Sequence, residues 1–241
     1  MNLKTVIFSL AVALGLASTA HATDFSSNFE VSSDYRFRGV SQTKVGPEVA
    51  GGLDVSDKNT GVYAGTWLSN VSSGYYTNGS GIETDLYVGV KKELVKGLTL
   101  DVGSYNDLYA RASNGGVSYN TSELYVGASY GPLTVKGSHS LTNYFGIPNT
   151  HTTHYVTADV SQPVGAFTLI AHAGHTYVAH HNNYDYTDLN AGVAYNLPKG
   201  FVVTALYYTN TGVGSGAKAY NTEDGHKLYG DNVVVSLKKT F

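Results

Sequence analysis

Cysteine is absent from the 241 residues of this sequence, and its single methionine is Met1. Without cysteine the chain has no disulfide, so an exported protein of this composition must be stabilised by other means. Charged residues are also few, at 14%, and the 15 Lys and Arg do not exceed the 18 Asp and Glu. Phosphate recognition requires clustered Lys and Arg, so this balance excludes a nucleic-acid-binding profile.

The sequence also lacks an apolar run that could cross a membrane as a helix, which requires about 20 residues. Its most apolar stretch, Val6–Ala17, follows Lys4 and precedes the small-residue segment Ala20-His21-Ala22. A positive charge, an apolar stretch and small residues in this order are typical of a cleavable secretory signal peptide. We therefore expect residues 1–22 to be a signal peptide and residues 23–241 to form a single domain after export.

Strand-like runs in the remaining sequence are joined alternately by long and short connections. The long ones are roughly Gly39–Gly46, Val71–Gly81, Ala112–Ser118, Gly146–Thr153, Ala179–Thr187 and Asn210–Leu228. The short ones are Asp57–Thr60, Val95–Gly97, Tyr130–Pro132, Pro163–Gly165 and Leu197–Gly200. This pattern predicts an all-β, up-and-down transmembrane barrel of about twelve antiparallel strands, with short periplasmic turns and long extracellular loops. Apolar and polar residues do not alternate clearly in Gly61–Asn70 and Phe201–Thr209, so these two runs are predicted as strands from their spacing and β-propensity alone. The ambiguity of Gly61–Asn70 leaves a barrel of ten strands as the alternative.

Apolar and charged side chains alternate along most of these runs. In the first run the two classes differ in parity: Phe29, Val31, Tyr35 and Phe37 against Glu30, Asp34, Arg36 and Arg38. An Arg or Lys facing hydrocarbon costs about 2–4 kcal/mol at the bilayer midplane, so the charged face must point into the barrel. A soluble sandwich or lipocalin-like barrel alternates equally well, but a dry core could not bury so many unpaired charges.

The same parity along the other runs predicts a lumen lined by charged side chains: Glu30, Asp34, Arg36, Arg38, Glu48, Asp54, Glu83, Asp85, Lys91, Asp101, Arg111, Glu123, Lys136, Asp159 and Asp188. Acidic residues outnumber basic ones in this set, and carboxylates that line a pore favour cations. Eight strands enclose a filled interior and sixteen an aqueous pore, so twelve predict a narrow bore. We expect a channel for passive diffusion of small hydrophilic solutes with a mild cation preference.

The last run carries Val233, Val235, Leu237 and Phe241 on one parity, and the sequence ends at Phe241. A last strand that ends in an aromatic residue resembles the signal read by the outer-membrane barrel assembly machinery. Lys239 departs from the usual hydrophobic or aromatic residue at its place, although near the interface it can snorkel to water. The expected partners are outer-membrane lipid, the assembly machinery and small hydrophilic solutes, without a cofactor or nucleic acid.

The run Ser33–Thr43, with the sequence SDYRFRGVSQT, resembles the hallmark of the TorF-type porin family, catalogued as the conserved hypothetical Gcw_chp family. Three further stretches support the resemblance, which covers essentially all of the sequence after the signal peptide: Tyr63–Val71, Ile82–Gly89 and Glu123–Pro132. The resemblance implies an outer-membrane barrel of a Gram-negative bacterium, regarded as a porin by analogy. It supplies no catalytic residues, so it informs the fold more than the transported solute.

Arg36 and Arg38 are predicted on one face at the outer end of the first strand. They either form an electrostatic constriction that contacts an anionic group, or belong to an ion-pair network that bridges strands through carboxylates such as Glu48, Glu83 or Asp85. The second interpretation is the more economical one.

Six histidines lie between positions 151 and 181, and the weak candidates for a metal site are His151, His154, His175, His180 and His181. The predicted hairpin around residues 154–178 brings His154 near His175. On a strand, however, residues at i and i+3 point to opposite faces, which is poor geometry for one ion. With no cysteine as a ligand, we expect no metal site. A mouth that responds to pH is the other interpretation.

Two further functions are alternatives to the channel. The loop Asn210–Leu228 could fold into the lumen, which would make the protein a plugged barrel that anchors or displays its loops. A lipid-modifying enzyme would need a serine within reach of a histidine, and barrel hydrolases place them as His-x-Ser, which does not occur here. We therefore expect a protein without enzymatic activity.

Overall fold

The structure, a computed structural model, describes residues 23–72, 79–218 and 227–241. The predicted signal peptide at residues 1–22 lies outside the described residues, as does the central part of the predicted loop Asn210–Leu228. Within the described part of the chain, no helix is long and apolar enough to cross a membrane.

Most of the described chain is extended, because short runs rich in β-branched and aromatic residues alternate with Gly and Asn turns. Sixteen strands occur in these residues: β1 (Thr23–Ser32), β2 (Arg36–Phe37), β3 (Val40–Ser41), β4 (Glu48–Asp57), β5 (Val62–Asn70), β6 (Ile82–Val95), β7 (Leu98–Tyr109), β8 (Ser113–Asn114), β9 (Val117–Ser118), β10 (Thr121–Tyr130), β11 (Leu133–Ser140), β12 (His154–Val164), β13 (Phe167–Tyr177), β14 (Tyr186–Leu197), β15 (Phe201–Thr211) and β16 (Asn232–Thr240). One helical turn, α1 (Ser215–Lys218), and 3₁₀ turns at Asn182–Tyr184 and Pro198–Gly200 lie between them.

Twelve strands form one closed barrel in the order β1-β16-β15-β14-β13-β12-β11-β10-β7-β6-β5-β4. Each is antiparallel to its neighbours, and β1 closes the sheet by pairing with both β4 and β16. In hydrocarbon every backbone N–H and C=O must find a partner within the protein, which a closed barrel achieves without an open edge. The predicted twelve-stranded barrel is confirmed, and the ten-stranded alternative is wrong.

The run that suggested ten strands, residues 61–70, is barrel strand β5. Its parity was obscured because the inner face carries aromatic side chains in place of charges. Tyr63 donates a hydrogen bond from its hydroxyl to Asp101 (2.7 Å), and Trp67 contacts Tyr35 edge-on with ring centroids 5.0 Å apart. Polarity along such a strand therefore does not separate the inner face from the outer one.

Connection length separates the two ends of the barrel. The turns at residues 58–61, 96–97, 131–132, 165–166 and 198–200 lie at one end, which by the usual arrangement of such barrels is periplasmic. The long connections lie at the opposite, extracellular end. Two of them contain small hairpins, formed by β2 with β3 and by β8 with β9. The predicted alternation of long and short connections is thus confirmed.

The outer surface of the barrel is apolar. Large exposed hydrophobic side chains follow the predicted outward parity: Phe29, Val31, Val49, Leu53, Val102, Leu124, Val126, Leu133, Val135, Val156, Val160, Val233, Val235 and Leu237. Six exposed aromatic residues lie near the short-turn end, namely Phe25, Tyr130, Phe167, Tyr195, Phe201 and Phe241, and exposed Tyr177 ends β13 at the opposite end. An apolar band edged by aromatic residues is the surface that outer-membrane barrels present to lipid.

Part of the inner wall is built from tyrosines that occupy space left by glycines on the neighbouring strand. Tyr63 on β5 lies directly opposite Gly89 on β6, and Gly65 lies directly opposite Tyr87. A Cβ atom added to Gly65 would come within 2.5 Å of the Tyr87 ring, and one on Gly89 equally close to the Tyr63 hydroxyl. The sequence motif Tyr-x-Gly therefore places a tyrosine ring and a glycine on the same face of each strand. Because β5 and β6 are antiparallel, the ring of each strand lies over the glycine of the other.

We predict that Gly103→Ala, in β7, lowers the free energy of unfolding by about 1–3 kcal/mol, because the inner wall is overpacked there. The added Cβ would lie 2.5 Å from both the Val88 carbonyl oxygen and the Tyr125 hydroxyl. Urea unfolding from lipid vesicles, followed by the fluorescence of the single tryptophan, measures the change. The control is Gly137→Ala, an outward strand position where a Cβ meets nothing within 4 Å. Equal losses in both variants would contradict the packing role of the tyrosines.

Candidate functional site

The candidate site is the lumen, and its main occupant is the small hairpin of β2 and β3. Arg38 and Gly39 form its two-residue turn, with φ of 48° and 75°. Positive φ at both central residues is the requirement of a type I′ turn, which suits a tight hairpin. A Cβ on Gly39 would lie 2.5 Å from Cβ of Asp188 and 2.7 Å from Nδ2 of Asn210, so the turn packs closely against the inner wall. Only glycine fits there.

This hairpin corrects the prediction for the first strand. The strand was expected to continue through Arg38 with Tyr35 and Phe37 facing lipid, but β1 ends at Ser32. Tyr35 is buried inside the barrel, and Phe37 packs against Phe145 with ring centroids 5.8 Å apart. The alternation of polar and apolar residues continues past Ser32 because a hairpin has the same period of two as a strand. Parity alone could not show that the chain turns inward.

Arg38 anchors the hairpin to the opposite wall. Its guanidinium makes a two-pronged contact with Glu123 on β10, in which Nη1 donates to Oε1 over 3.1 Å and Nη2 donates to Oε2. The guanidinium also lies over the ring of Tyr155, 4.2 Å from the centroid. The pair is almost fully buried, with side-chain exposures of 7% and 3%. A planar guanidinium matches a carboxylate in this way, and the geometry suits a buried ion pair.

Asp34 holds the base of the same hairpin. Its carboxylate accepts a hydrogen bond from Nε of Arg36 (2.8 Å), from the hydroxyl of Ser41 (2.6 Å) and from Nδ2 of Asn232 (3.1 Å). Arg36 also donates to the carbonyl oxygen of Gly230 over 3.0 Å. Arg36 and Arg38 therefore use carboxylates other than Glu48, Glu83 or Asp85, although the expectation of a lumenal ion-pair network describes their contacts well.

Loop side chains above the hairpin form an apolar cluster at the extracellular end. The buried members come from several connections and strand ends: Tyr35, Val71, Tyr109, Ala112, Tyr119, Tyr144, Phe145 and Val178. Residues 141–153 contribute Tyr144 and Phe145, whose rings meet edge-on at 4.6 Å. The buried apolar core of this protein is thus a plug inside one end of the barrel rather than a layer between sheets.

A cavity of about 520 Å³ extends from the hairpin toward the short-turn end. Its ionisable lining includes four carboxylates and three basic side chains: Asp101, Glu123, Asp159 and Asp188 with Arg36, Arg38 and Lys136. These are seven of the residues that parity placed in the lumen. Their contribution to solute passage stays a prediction.

Apart from Arg111, the other residues that parity placed in the lumen lie outside this cavity, some on the inner face and some near the short-turn end. Asp54 accepts from the Tyr87 hydroxyl (2.5 Å), Glu48 from that of Ser32 (2.6 Å), and Glu83 and Asp85 are buried on the inner face. Glu30 lies 3.9 Å from Lys238, and Lys91 is exposed opposite Asp101 near the short-turn end.

Arg111 was wrongly placed in the lumen by parity. It lies in the turn after β7 with φ of 63°, and its side chain is exposed. The turn between Tyr109 and Ala112 interrupts the strand before β8 begins at Ser113, so counting along the strand no longer predicts direction. A left-handed Arg in a turn is compatible with exposure.

His172 is an inward residue that sequence reasoning missed. Its Nδ1 lies 2.5 Å from Oδ1 of Asp159 on β12, and its Nε2 lies 2.8 Å from Oδ1 of Asp188 on β14. The imidazole thus bridges two carboxylates across three adjacent strands. In the register of β13 with β14, His172 lies opposite Asn190, two residues from Asp188, so the side chains of His172 and Asp188 share one face. The parity of its position could therefore have identified His172 as an inward residue.

The five histidines considered for a metal do not converge. His154 lies opposite Tyr177 and pairs with His139, with their Nδ1 atoms 3.4 Å apart. His175 contacts Thr187 through its Nδ1 (2.7 Å). In the extracellular connections, His151 and His180 are exposed, and His181 contacts the Pro148 carbonyl oxygen through Nε2 (3.0 Å). His154 and His175 are diagonal neighbours on one face of the β12–β13 pair, near each other as expected, but their side chains have separate partners.

Phe241, the predicted assembly signal, lies at the barrel seam. Its N–H donates to the carbonyl oxygen of Ser27 over 2.9 Å, and its exposed ring lies near the ammonium group of Lys239, 4.9 Å from the ring centroid. The terminal strand therefore completes closure. Recognition by the assembly machinery stays a prediction.

A family model described as a bacterial protein of unknown function (Gcw_chp) matches residues 16–241. The chain belongs to the Gcw_chp family. Within this Gcw_chp barrel, the Ser33–Thr43 run forms the inserted hairpin and its base. A comparison with curated proteins found no match.

Solved porin-like structures share the fold. The chain is similar to the KdgM porin in complex with disordered oligogalacturonate, with 8% identity, a TM-score of 0.57 and coverage of 91% of this chain and 99% of that one. The NanC porin has 11% identity, a TM-score of 0.55 and coverages of 90% and 99%. The COG4313 outer membrane channel from Pseudomonas putida F1 has 12% identity and a TM-score of 0.53, with coverage of 92% of this chain and 96% of that one. At these identities the likeness shows the fold alone: a porin-like outer-membrane barrel.

We predict that Arg38→Ala lowers the free energy of unfolding by about 3–5 kcal/mol, because it leaves Glu123 buried without its partner. Urea unfolding from vesicles measures the loss. The double variant Arg38→Ala/Glu123→Ala should lose less than the sum of the two single variants. Arg111→Ala, at an exposed turn, is the matched control and should change the value by less than about 0.5 kcal/mol. Additive single losses would show that the pair does not act as a unit.

Proposed function

We propose that this Gcw_chp barrel is a narrow outer-membrane diffusion channel for small hydrophilic solutes, with a mild preference for cations. The observation that carries the proposal is a cavity of about 520 Å³ inside a closed barrel, with charged side chains in its lining. A water-filled interior lined by fixed charges is how porins select solutes. We further propose that the chain is a TorF-type porin of a Gram-negative bacterium, exported by the signal peptide at residues 1–22 and inserted by the barrel assembly machinery as the single domain 23–241.

The cation preference rests on the charges that remain after internal pairing. Arg38 is neutralised by Glu123, and Arg36 by Asp34, so neither projects an uncompensated charge into the cavity. Lys136 then faces several carboxylates of the lining, among them Asp101. A site lined by excess negative charge raises the local concentration of cations. The preference should be mild, because His172 offsets part of this charge whenever it is protonated.

The inserted hairpin sets the width of the channel. It reaches from Glu83 on one side, through the Tyr35 hydroxyl (2.7 Å), to Glu123 on another through Arg38. The bore is therefore narrower than the barrel wall alone implies, and only small solutes fit past it. The same observation favours a second candidate, a plugged barrel that anchors its loops, because the aromatic cluster closes over the hairpin.

An enzymatic role has less support from the residues. The inward-facing histidine, His172, is held between Asp159 and Asp188. Both ring nitrogens are thereby engaged by carboxylates, and neither is directed at a serine. A hydrolase would need one of them to accept a proton from its nucleophile.

We predict that the folded protein in a planar bilayer produces discrete current steps, and that a KCl gradient gives a reversal potential of cation-selective sign. A folded, heat-modifiable barrel that conducts no current would instead support the plugged anchor. Clear anion selectivity would contradict the charge argument.

A variant pair tests the role of the hairpin. Arg38→Ala should raise the single-channel conductance because the hairpin loses its anchor, whereas Arg111→Ala should leave it unchanged. Oligogalacturonate, the polyanion in the KdgM complex, serves as a further probe: the acidic lumen should exclude it, so it should not block the current. Block at low concentration would place this channel with carriers of acidic oligosaccharides.

A further inference from the structure

Three carboxylates meet on the inner face at the extracellular end of β6 and β7. Asp85 lies directly opposite Asp107 in the strand register, and Glu83 precedes Asp85 by two residues, which puts it on the same face. One carboxylate oxygen from each residue lies within 4.8 Å of the other two. Like charges directly opposite each other in a sheet are destabilising, so this arrangement needs a compensating charge.

In the part of the chain that the structure describes, no basic side chain forms an ion pair with the cluster. The three residues are 0%, 1% and 0% exposed, for Glu83, Asp85 and Asp107 respectively. None of the ion pairs seen between described residues includes them, and the guanidinium of Arg38 is committed to Glu123. A buried carboxylate without a counter-charge is costly, so the cluster must be neutralised in another way.

Hydrogen bonds orient part of the cluster and leave the rest free. The hydroxyls of Tyr35 and Tyr109 donate to Oε1 and Oε2 of Glu83, each over 2.7 Å. The Tyr105 hydroxyl donates to Oδ2 of Asp85 over 2.5 Å. Donors fixed on the outer side of ligating oxygens are the usual outer partners of a metal site.

Three buried oxygens of the cluster have no hydrogen-bond partner among the described residues: Oδ1 of Asp85 and both carboxylate oxygens of Asp107. An unpartnered, fully buried carboxylate such as Asp107 is rare in folded proteins and calls for a physical reason. Because its oxygens lie beside those of Asp85 and Glu83, the natural partner is one positive ion shared by all three.

We propose that Glu83, Asp85 and Asp107 bind a calcium ion inside the barrel. Oxygen-only ligands select a hard cation, and Ca²⁺ takes oxygens at about 2.3–2.6 Å. Two ligands of one such ion can lie up to about 5 Å apart, and one oxygen from each of the three carboxylates lies within 4.8 Å of the other two. Asp107 offers both oxygens, as bidentate Ca²⁺ ligands do, and the flexible coordination of Ca²⁺ suits an irregular set better than the strict octahedron of Mg²⁺.

The ion would join the inserted loop to the barrel wall. Tyr35 precedes the hairpin and donates to Glu83, while Tyr109 ends β7 and donates to the other oxygen of the same carboxylate. The site lies at the extracellular end of the barrel, where ions from the medium arrive. A bound calcium ion would therefore neutralise the three carboxylates and also hold the inserted loop against the barrel wall.

Terbium luminescence tests the site on the full mature chain refolded in detergent. Tyr35, Tyr105 and Tyr109 surround the cluster, so excitation of tyrosine should produce saturable Tb³⁺ emission that Ca²⁺ displaces with one ion per chain. Mg²⁺ should displace it much less effectively. Asp107→Asn should weaken Ca²⁺ binding at least about tenfold, since even the outer partners of metal ligands contribute that much. Asp24→Asn removes an exposed carboxylate elsewhere and should leave the affinity unchanged.

Thermal unfolding separates calcium from protons as the neutralising species. At about a hundred times its Kd, Ca²⁺ should raise the Tm of the wild-type barrel by about 5–10 °C relative to chelator. Asp107→Asn should lose this rise yet unfold in chelator at or above the wild-type temperature, because the repulsion is relieved. A Tm that ignores Ca²⁺ and chelator, and rises only as the pH falls, would overturn the proposal and show that shared protons hold the carboxylates together.

Discussion

The buried ion pair of Arg38 and Glu123 is the contact on which the outer half of this barrel depends. It holds the tip of the inserted hairpin against β10, and the apolar cluster closes over the hairpin. A buried pair of this kind contributes little net stability compared with an apolar alternative, but it is costly to break on one side. The ion pair instead fixes the position of the Arg38–Gly39 turn in the lumen, and that position determines the width of the bore.

Much of the barrel could be predicted from the sequence because its determinants are local. Loop length, strand length and the exclusion of charge from lipid act on each hairpin separately, so the alternation of long and short connections indicated twelve strands. The weakest strand signal, in β5, came from Tyr63 and Trp67, whose bulk on the inner face resembles a lipid-facing pattern. The ambiguity at this strand left ten strands as the alternative, and the pairing of β5 with both β4 and β6 excludes that alternative.

The lumen was less predictable because its contacts join residues far apart in the chain. Parity placed Asp159 and Asp188 inward but could not show that His172 bridges them. It also could not distinguish a strand that continues through Arg36 from a hairpin that turns back, since both have a period of two. The acidic cluster was visible only as separate inward carboxylates, because Asp85 and Asp107 meet through the register of β6 with β7.

Closure through β1 and β16 has a consequence for the time course of folding. At this seam the amide of Val235 donates to the hydroxyl of Ser33, 202 positions earlier in the chain. Contacts of such separation form late, because the entropy of closing the longest possible loop must be overcome first. Until the last strand arrives, both seam strands present unpaired backbone groups that invite association with other chains. A barrel of this topology is therefore most vulnerable to aggregation just before it is complete, and escorting the unclosed chain matters more than accelerating any single hairpin.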